Sequence, residues 1–114
     1  MQAKVPIHIG GESEAAMRRV ARMADGWMPF NCSPEDLSRH VSELDTVLGE
    51  HSRSRSEIEI TVCPYFNQMT ADDVTAYADA GANAVASLFL AFSPDDVPGA
   101  LDALAPLIER AAAP

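Results

Sequence analysis

Hydrophobic and polar positions along this chain alternate between two periods. Short apolar or β-branched runs occupy residues 5–9, 27–30, 58–66 and 84–92, the lengths and compositions of strands. Each is followed by apolar positions three and four apart, the spacing of one helical face. The first such face is Met17, Val20, Ala21 and Ala24, and the second is Leu37, Val41, Leu44 and Leu48. The third is short, with Val74, Tyr77 and Ala78 expected inward, and the fourth carries Leu101, Leu104 and Ile108. Gly49 and Gly81 are placed to close the second and third helices. Pro98 and Pro106 each remove a backbone donor from the fourth, which predicts a late start and a kink near Pro106.

Helix starts are marked by an internal echo. Ser33-Pro34-Glu35-Asp36-Leu37, Thr70-Ala71-Asp72-Asp73-Val74 and Ser93-Pro94-Asp95-Asp96-Val97 share one order. A hydroxyl residue suited to the N-cap comes first, then carboxylates near the positive end of the helix dipole, then an apolar residue. The chain therefore alternates strand and helix four times, which predicts right-handed βαβ units and an α/β fold with a parallel sheet. Four such units make half of a TIM (β/α)8 barrel, and residues 1–114 are expected to form a single (βα)4 half-barrel domain. Such a sheet leaves both outer strands with unpaired N–H and C=O groups, and residues 5–9 and 84–90 at those edges are apolar. Closure by a homodimer through its edge strands, or by a separate N-terminal half-barrel, is the expected remedy.

Charge and composition remove several classes. A formal net charge of −9 argues against nucleic acid and against an anionic membrane surface. No apolar run has the length of a membrane span, and residues 1–20 lack the basic-then-apolar order of a secretory leader, so a cytoplasmic protein is expected. Two cysteines, Cys32 and Cys63, make neither a disulfide framework nor a zinc motif, and no metal site is expected. No Ser/His/Asp set or paired-carboxylate signature stands out, which fits chemistry borrowed from a cofactor.

The candidate chemistry gathers in residues 6–30. Gly10-Gly11 lies between a strand and a helix start, where backbone N–H groups and the helix dipole can hold an anion. The competing reading is a plain tight turn. Glu12 and Ser13 continue the loop, and Glu12 and Glu14 oppose an anion unless their side chains leave the loop outward. His8 alternates with Ile7 and Ile9, so it faces the barrel interior if the aliphatics meet the helices. There it would lie near a cofactor ring or simply pack as an interior histidine. The face at the strand C-termini is expected to hold Gly10, Gly11, Phe30, Asn31, Cys32, Tyr65, Phe66, Asn67, Gln68 and Phe92, a mixture suited to a flat heteroaromatic ligand or to a buried interface. Asp25 belongs to the opposite face as a capping or turn residue, Trp27 to the core, and the two thiols to buried positions. His51, Arg53 and Arg55 fall in a Ser/Arg-rich loop expected to be solvated, and His40 is expected on the surface.

Three clusters resemble the C-terminal half of the luciferase-like flavin monooxygenase and F-420-dependent oxidoreductase superfamily. They are Pro6-Ile7-His8-Ile9-Gly10-Gly11, Glu14-Ala15-Ala16-Met17-Arg18-Arg19 and Ala24-Asp25-Gly26-Trp27-Met28-Pro29. Glu57-Ile58-Glu59-Ile60-Thr61-Val62 and Ala80-Gly81-Ala82-Asn83-Ala84-Val85 fall where that family places its last two barrel strands. The resemblance spans nearly the whole chain but half of the family's barrel. It implies an oxidoreductase or monooxygenase module, with FMN or coenzyme F-420 as cofactor. The cofactor phosphate would sit on Gly10, Gly11, Glu12 and Ser13, with His8 near the ring; no catalytic residue is implied. The family's other half supplies much of the pocket. The alternative is therefore a catalytically inactive half-barrel serving as a homodimeric assembly or binding module.

Overall fold

The computed structural model describes residues 3–65 and 67–113. Four strands, β1 (His8–Gly10), β2 (Gly26–Met28), β3 (Glu59–Val62) and β4 (Ala84–Val85), alternate with four helices. The helices are α1 (Glu14–Met23), α2 (Pro34–Glu50), α3 (Ala71–Ala80) and α4 (Val97–Ala112). The sheet order is β1-β2-β3-β4 and every pairing is parallel, as in one half of a (βα)8 barrel.

Register divides the sheet into two faces. Ile9, Trp27 and Ile60 stand in one row and Val62 and Val85 in another, all turned toward the helices. They meet Met17, Val20 and Ala21 of α1, Leu37, Val41, Leu44 and Leu48 of α2, and Tyr77 of α3 in a single core. The opposite, concave face carries His8, Gly26 and Glu59 in one row, with Gly10 and Met28 in the next. His8 and Glu59 are exposed there, because none of the described residues covers that face.

The helix ends follow local chemistry. The Ser13, Ser33 and Thr70 hydroxyls accept the N–H groups of Ala16, Asp36 and Asp73, capping α1, α2 and α3. Gly81 closes α3 at φ +117°, a left-handed conformation that disfavours a side chain. Helix α2 runs one residue past Gly49 and ends at Glu50.

Several expectations are corrected. Strand β1 begins at His8, leaving Val5 and Ile7 exposed on the outer edge. Strand β4 stops at Val85 rather than Leu90, since the last link to β3 is the Ala86 N–H to the Val62 carbonyl and no neighbour lies on its other side. Ser93 does not cap α4, because residues Pro94–Asp96 form a separate 3-10 turn before it. Helix α4 buries none of its residues: Leu101 is 50% exposed and Ile108 64%, and Ala78 of α3 is exposed as well. The Arg110 guanidinium ties α4 to α3 through the Ala71 carbonyl, Asp72 and Thr75. Between them an apolar cleft of about 210 Å3 lies among Val74, Ala82, Val85, Leu104 and Ile108.

Two clamps hold the end of the sheet at the strand N-termini. The Asp25 carboxylate accepts from the Ile7 N–H at 2.9 Å and pairs with Lys4 at 2.7 Å, fixing β1 to β2. Arg53, expected to be solvated, instead donates to the carbonyls of Val20, Ala21 and Ala24, neutralising the C-terminal end of α1. Its targets lie 29 to 33 residues upstream, so only the folded chain reveals the role.

The Lys4 ammonium, then the Ile7 N–H, hold Asp25 below its ordinary pKa of 3.8. A lowered folded pKa gives stability that is complete above the unfolded value and lost as pH falls through the folded one. Asp25→Asn should therefore melt earlier than the parent at pH 6, with the gap closing as pH falls below about 4. Thermal melts by circular dichroism across pH 2–7 check this; a gap independent of pH would contradict it.

Candidate active site

At the C-terminal end of β1 the chain turns through Gly10 and Gly11 into α1. Gly11 has φ +98°, and a Cβ there would lie 3.2 Å from the Ala16 Cβ; one on Gly10 would lie 3.3 Å from the Met28 carbonyl oxygen. Both positions therefore suit glycine, one for conformation and one for close backbone approach. The Ser13 hydroxyl takes the Ala16 N–H and its carbonyl takes that of Met17. Among the described residues nothing accepts from the N–H groups of Glu14 and Ala15, which open α1. The turn thus presents free donors at the positive end of a ten-residue helix.

Side chains from the next unit fix this turn. The Trp27 indole N–H donates to the Gly11 carbonyl at 2.7 Å, while its ring is fully buried in the core. A buried tryptophan requires a partner for its one donor, and that need is the sequence signal that could have found this contact. Glu12 turns toward the β2–α2 loop: its carboxylate accepts the Phe30 N–H and lies 3.7 Å from the Cys32 sulfur.

The neighbouring loops make an aromatic and amide rim. The rings of Phe30 and Tyr65 lie 4.7 Å apart between centroids, tilted at 39°. Phe30 is 62% exposed and is bridged in parallel sense to Cys63. Asn67 donates to the Asn31 side chain at 2.7 Å. Asn31 and Tyr65 have φ of +52° and +53°, uncommon for residues other than glycine and costly for a tyrosine. Phe92 is almost wholly exposed, Gln68 is exposed, and Phe66 lies outside the described residues.

His8 faces the concave side as alternation implies, two residues below the turn. Its imidazole occupies the space over Gly26, where a Cβ would collide with the ring. Gly26 is thus the gap that lets the histidine lie across β2. Cys32 is buried and its thiol is pushed up to about 12 by that burial, with the Glu12 charge adding to it. The Tyr77 hydroxyl donates to the Cys32 carbonyl at 2.6 Å and is raised in pKa, chiefly by burial. Both cysteines are free, and no grouping of potential metal ligands occurs among the described residues. No helix among them is long and apolar enough to cross a membrane.

Fold and site together match the pattern of one half of a βα-barrel, with its loops gathered around a glycine turn. The luciferase-like monooxygenase family profile matches residues 1–111, and the chain belongs to that family. Uncharacterized proteins from Mycobacterium tuberculosis and Mycobacterium bovis are 38% identical to it over 77 residues. That segment is 68% of this chain and 26% of each relative, so the chain aligns with about a quarter of their length. The coenzyme F420-dependent tetrahydromethanopterin reductase of Methanopyrus kandleri is similar over 51% of this chain and 17% of its own, with a TM-score of 0.47 and 21% identity.

Two outcomes are expected at this site. Trp27→Phe removes the donor to Gly11 and should lower stability by about 1–3 kcal/mol, measured by urea unfolding followed by circular dichroism. Cys32 should resist alkylation by iodoacetamide at pH 8 in the native chain and react once the chain is unfolded in guanidinium; peptide mass spectrometry distinguishes it from Cys63.

Proposed function

We propose that this chain is the phosphate-binding half of a luciferase-like oxidoreductase, taking FMN or coenzyme F-420 at the Gly10-Gly11 turn. The carrying observation is the turn itself: two glycines where a Cβ would crowd the Met28 carbonyl or Ala16, followed by free N–H groups of Glu14 and Ala15. These donors suit a phosphate without a basic side chain, and Glu12 directs its carboxylate at Phe30 and Cys32. Ser13 would add its backbone N–H, its hydroxyl being engaged by Ala16. The Phe30–Tyr65 rim and His8 on the concave face would border the ring. The bound cofactor would supply hydride transfer or oxygen activation. This chain's own residues anchor, orient and shield it.

A second reading is favoured by the uncovered concave face and by the apolar edges at Val5, Ile7, Leu88 and Leu90. In it the half-barrel acts as an assembly module. Two copies related by a two-fold axis would set β4 of each beside β1 of the other with all strands parallel, or a separate N-terminal half-barrel would fill the same place.

Titration of FMN and of F-420 into the purified chain, followed by cofactor fluorescence, tests the first reading. Saturable binding by either is expected, weakened about tenfold or more by Gly11→Ala; no binding at high micromolar cofactor would overturn it. Sedimentation in the same samples tests the second, which expects a species near twice the 12.2 kDa chain mass and fails on a stable monomer that a co-expressed N-terminal half does not shift.

A further inference from the structure

The β1–α1 turn and the Phe30 loop belong to different βα units, yet one side chain joins them. The Glu12 carboxylate reaches across to the Phe30 backbone N–H, and the same oxygen faces the Cys32 sulfur at 3.7 Å. We propose that Glu12 is a positioning residue, a strap that makes the glycine turn and the Phe30 aromatic rim one rigid unit. The inference deepens the cofactor-phosphate reading and rests on it for its ligand arm.

Three observations carry the strap. Glu12 follows Gly11, whose carbonyl is fixed by the Trp27 indole, so the carboxylate departs from an anchored base. Its acceptor role falls at Phe30, just beyond the end of β2, where the chain departs into Asn31 at positive φ. Phe30 in turn meets the Tyr65 ring and bridges to Cys63, so displacement at Glu12 would pass to the end of β3. A carboxylate accepting a backbone N–H makes a charge-assisted bond, stronger than a neutral one and sensitive to loss of the acceptor. The same bond directs a negative charge to donors of the neighbouring loop. This reconciles an acidic residue with a turn proposed to hold a phosphate.

The distinction between a strap and a surface carboxylate lies in two variants. Glu12→Gln keeps a carbonyl oxygen that can accept from Phe30, whereas Glu12→Ala removes the acceptor. Amide hydrogen exchange by NMR should show Phe30 exchanging about tenfold faster in Glu12→Ala, with most protection restored in Glu12→Gln. Titration with FMN should move the Gly11 and Phe30 amide resonances together in the parent and in Glu12→Gln. In Glu12→Ala the Gly11 shift should persist while the Phe30 shift is lost. Unchanged Phe30 exchange in Glu12→Ala would overturn the strap, as would a Glu12→Gln variant no better protected than alanine. A parent chain that binds no FMN or F-420 would defeat the cofactor reading alone, since the exchange measurement decides the strap without ligand. Should Glu12→Ala fail to fold, Glu12→Met takes its place, since it keeps the side-chain length without an oxygen acceptor: faster Phe30 exchange is expected, and parent-like protection would overturn the strap.

Discussion

A parallel sheet has to be covered on both faces and paired at both edges, and this chain meets only one of those four requirements by itself. Helices α1 to α3 cover the convex face with a dense core built around Trp27, Leu37, Leu44 and Ile60. Among the described residues nothing covers the concave face or pairs with the outer edges of β1 and β4. Much of what is unusual here follows from that imbalance. β4 is two residues long, α4 buries nothing, and apolar side chains from Leu88 to Phe92 face outward. A half-barrel is thus stable on its helical side and unfinished on its barrel side.

The turn at Gly10-Gly11 stands at the boundary between these two conditions. Its carbonyl is tied to the core through Trp27, while its donors open toward the strand C-termini, where a barrel gathers its chemistry. Glu12 reaches to the next loop, Phe30 to Tyr65, and Asn67 to Asn31, so the rim is stitched sideways across three units. At the other end of the sheet, Asp25 and Arg53 clamp β1 and α1.

Local patterns in the sequence were sufficient for much of this. The face Leu37, Val41, Leu44 and Leu48 is buried throughout, and Ser33 and Thr70 cap the helices they precede. Strand order, the concave placement of His8 and the burial of Trp27 also follow from periodicity. Features that depend on distant partners did not show. Residues 86–90 have strand composition, but a strand needs a neighbour, and β3 runs out beside them. Ser93 carries the same cap pattern as Ser33, yet Pro98 moves the helix start beyond its reach. Arg53 sits among serines in a loop, and only folding brings it to the end of α1. Glu12 carries a charge that seemed to oppose the turn, and the Phe30 amide that receives it comes from another unit.

Trp27 is the chain's only tryptophan, and its indole is bonded to the carbonyl of the glycine turn. The tryptophan fluorescence of this protein therefore originates at the base of the candidate site. Any event that shifts Gly11, whether an arriving anion or the closing of a barrel, changes the polarity and hydrogen bonding that set the indole emission. The molecule carries its own optical reporter, placed where the sheet hands over to the loops.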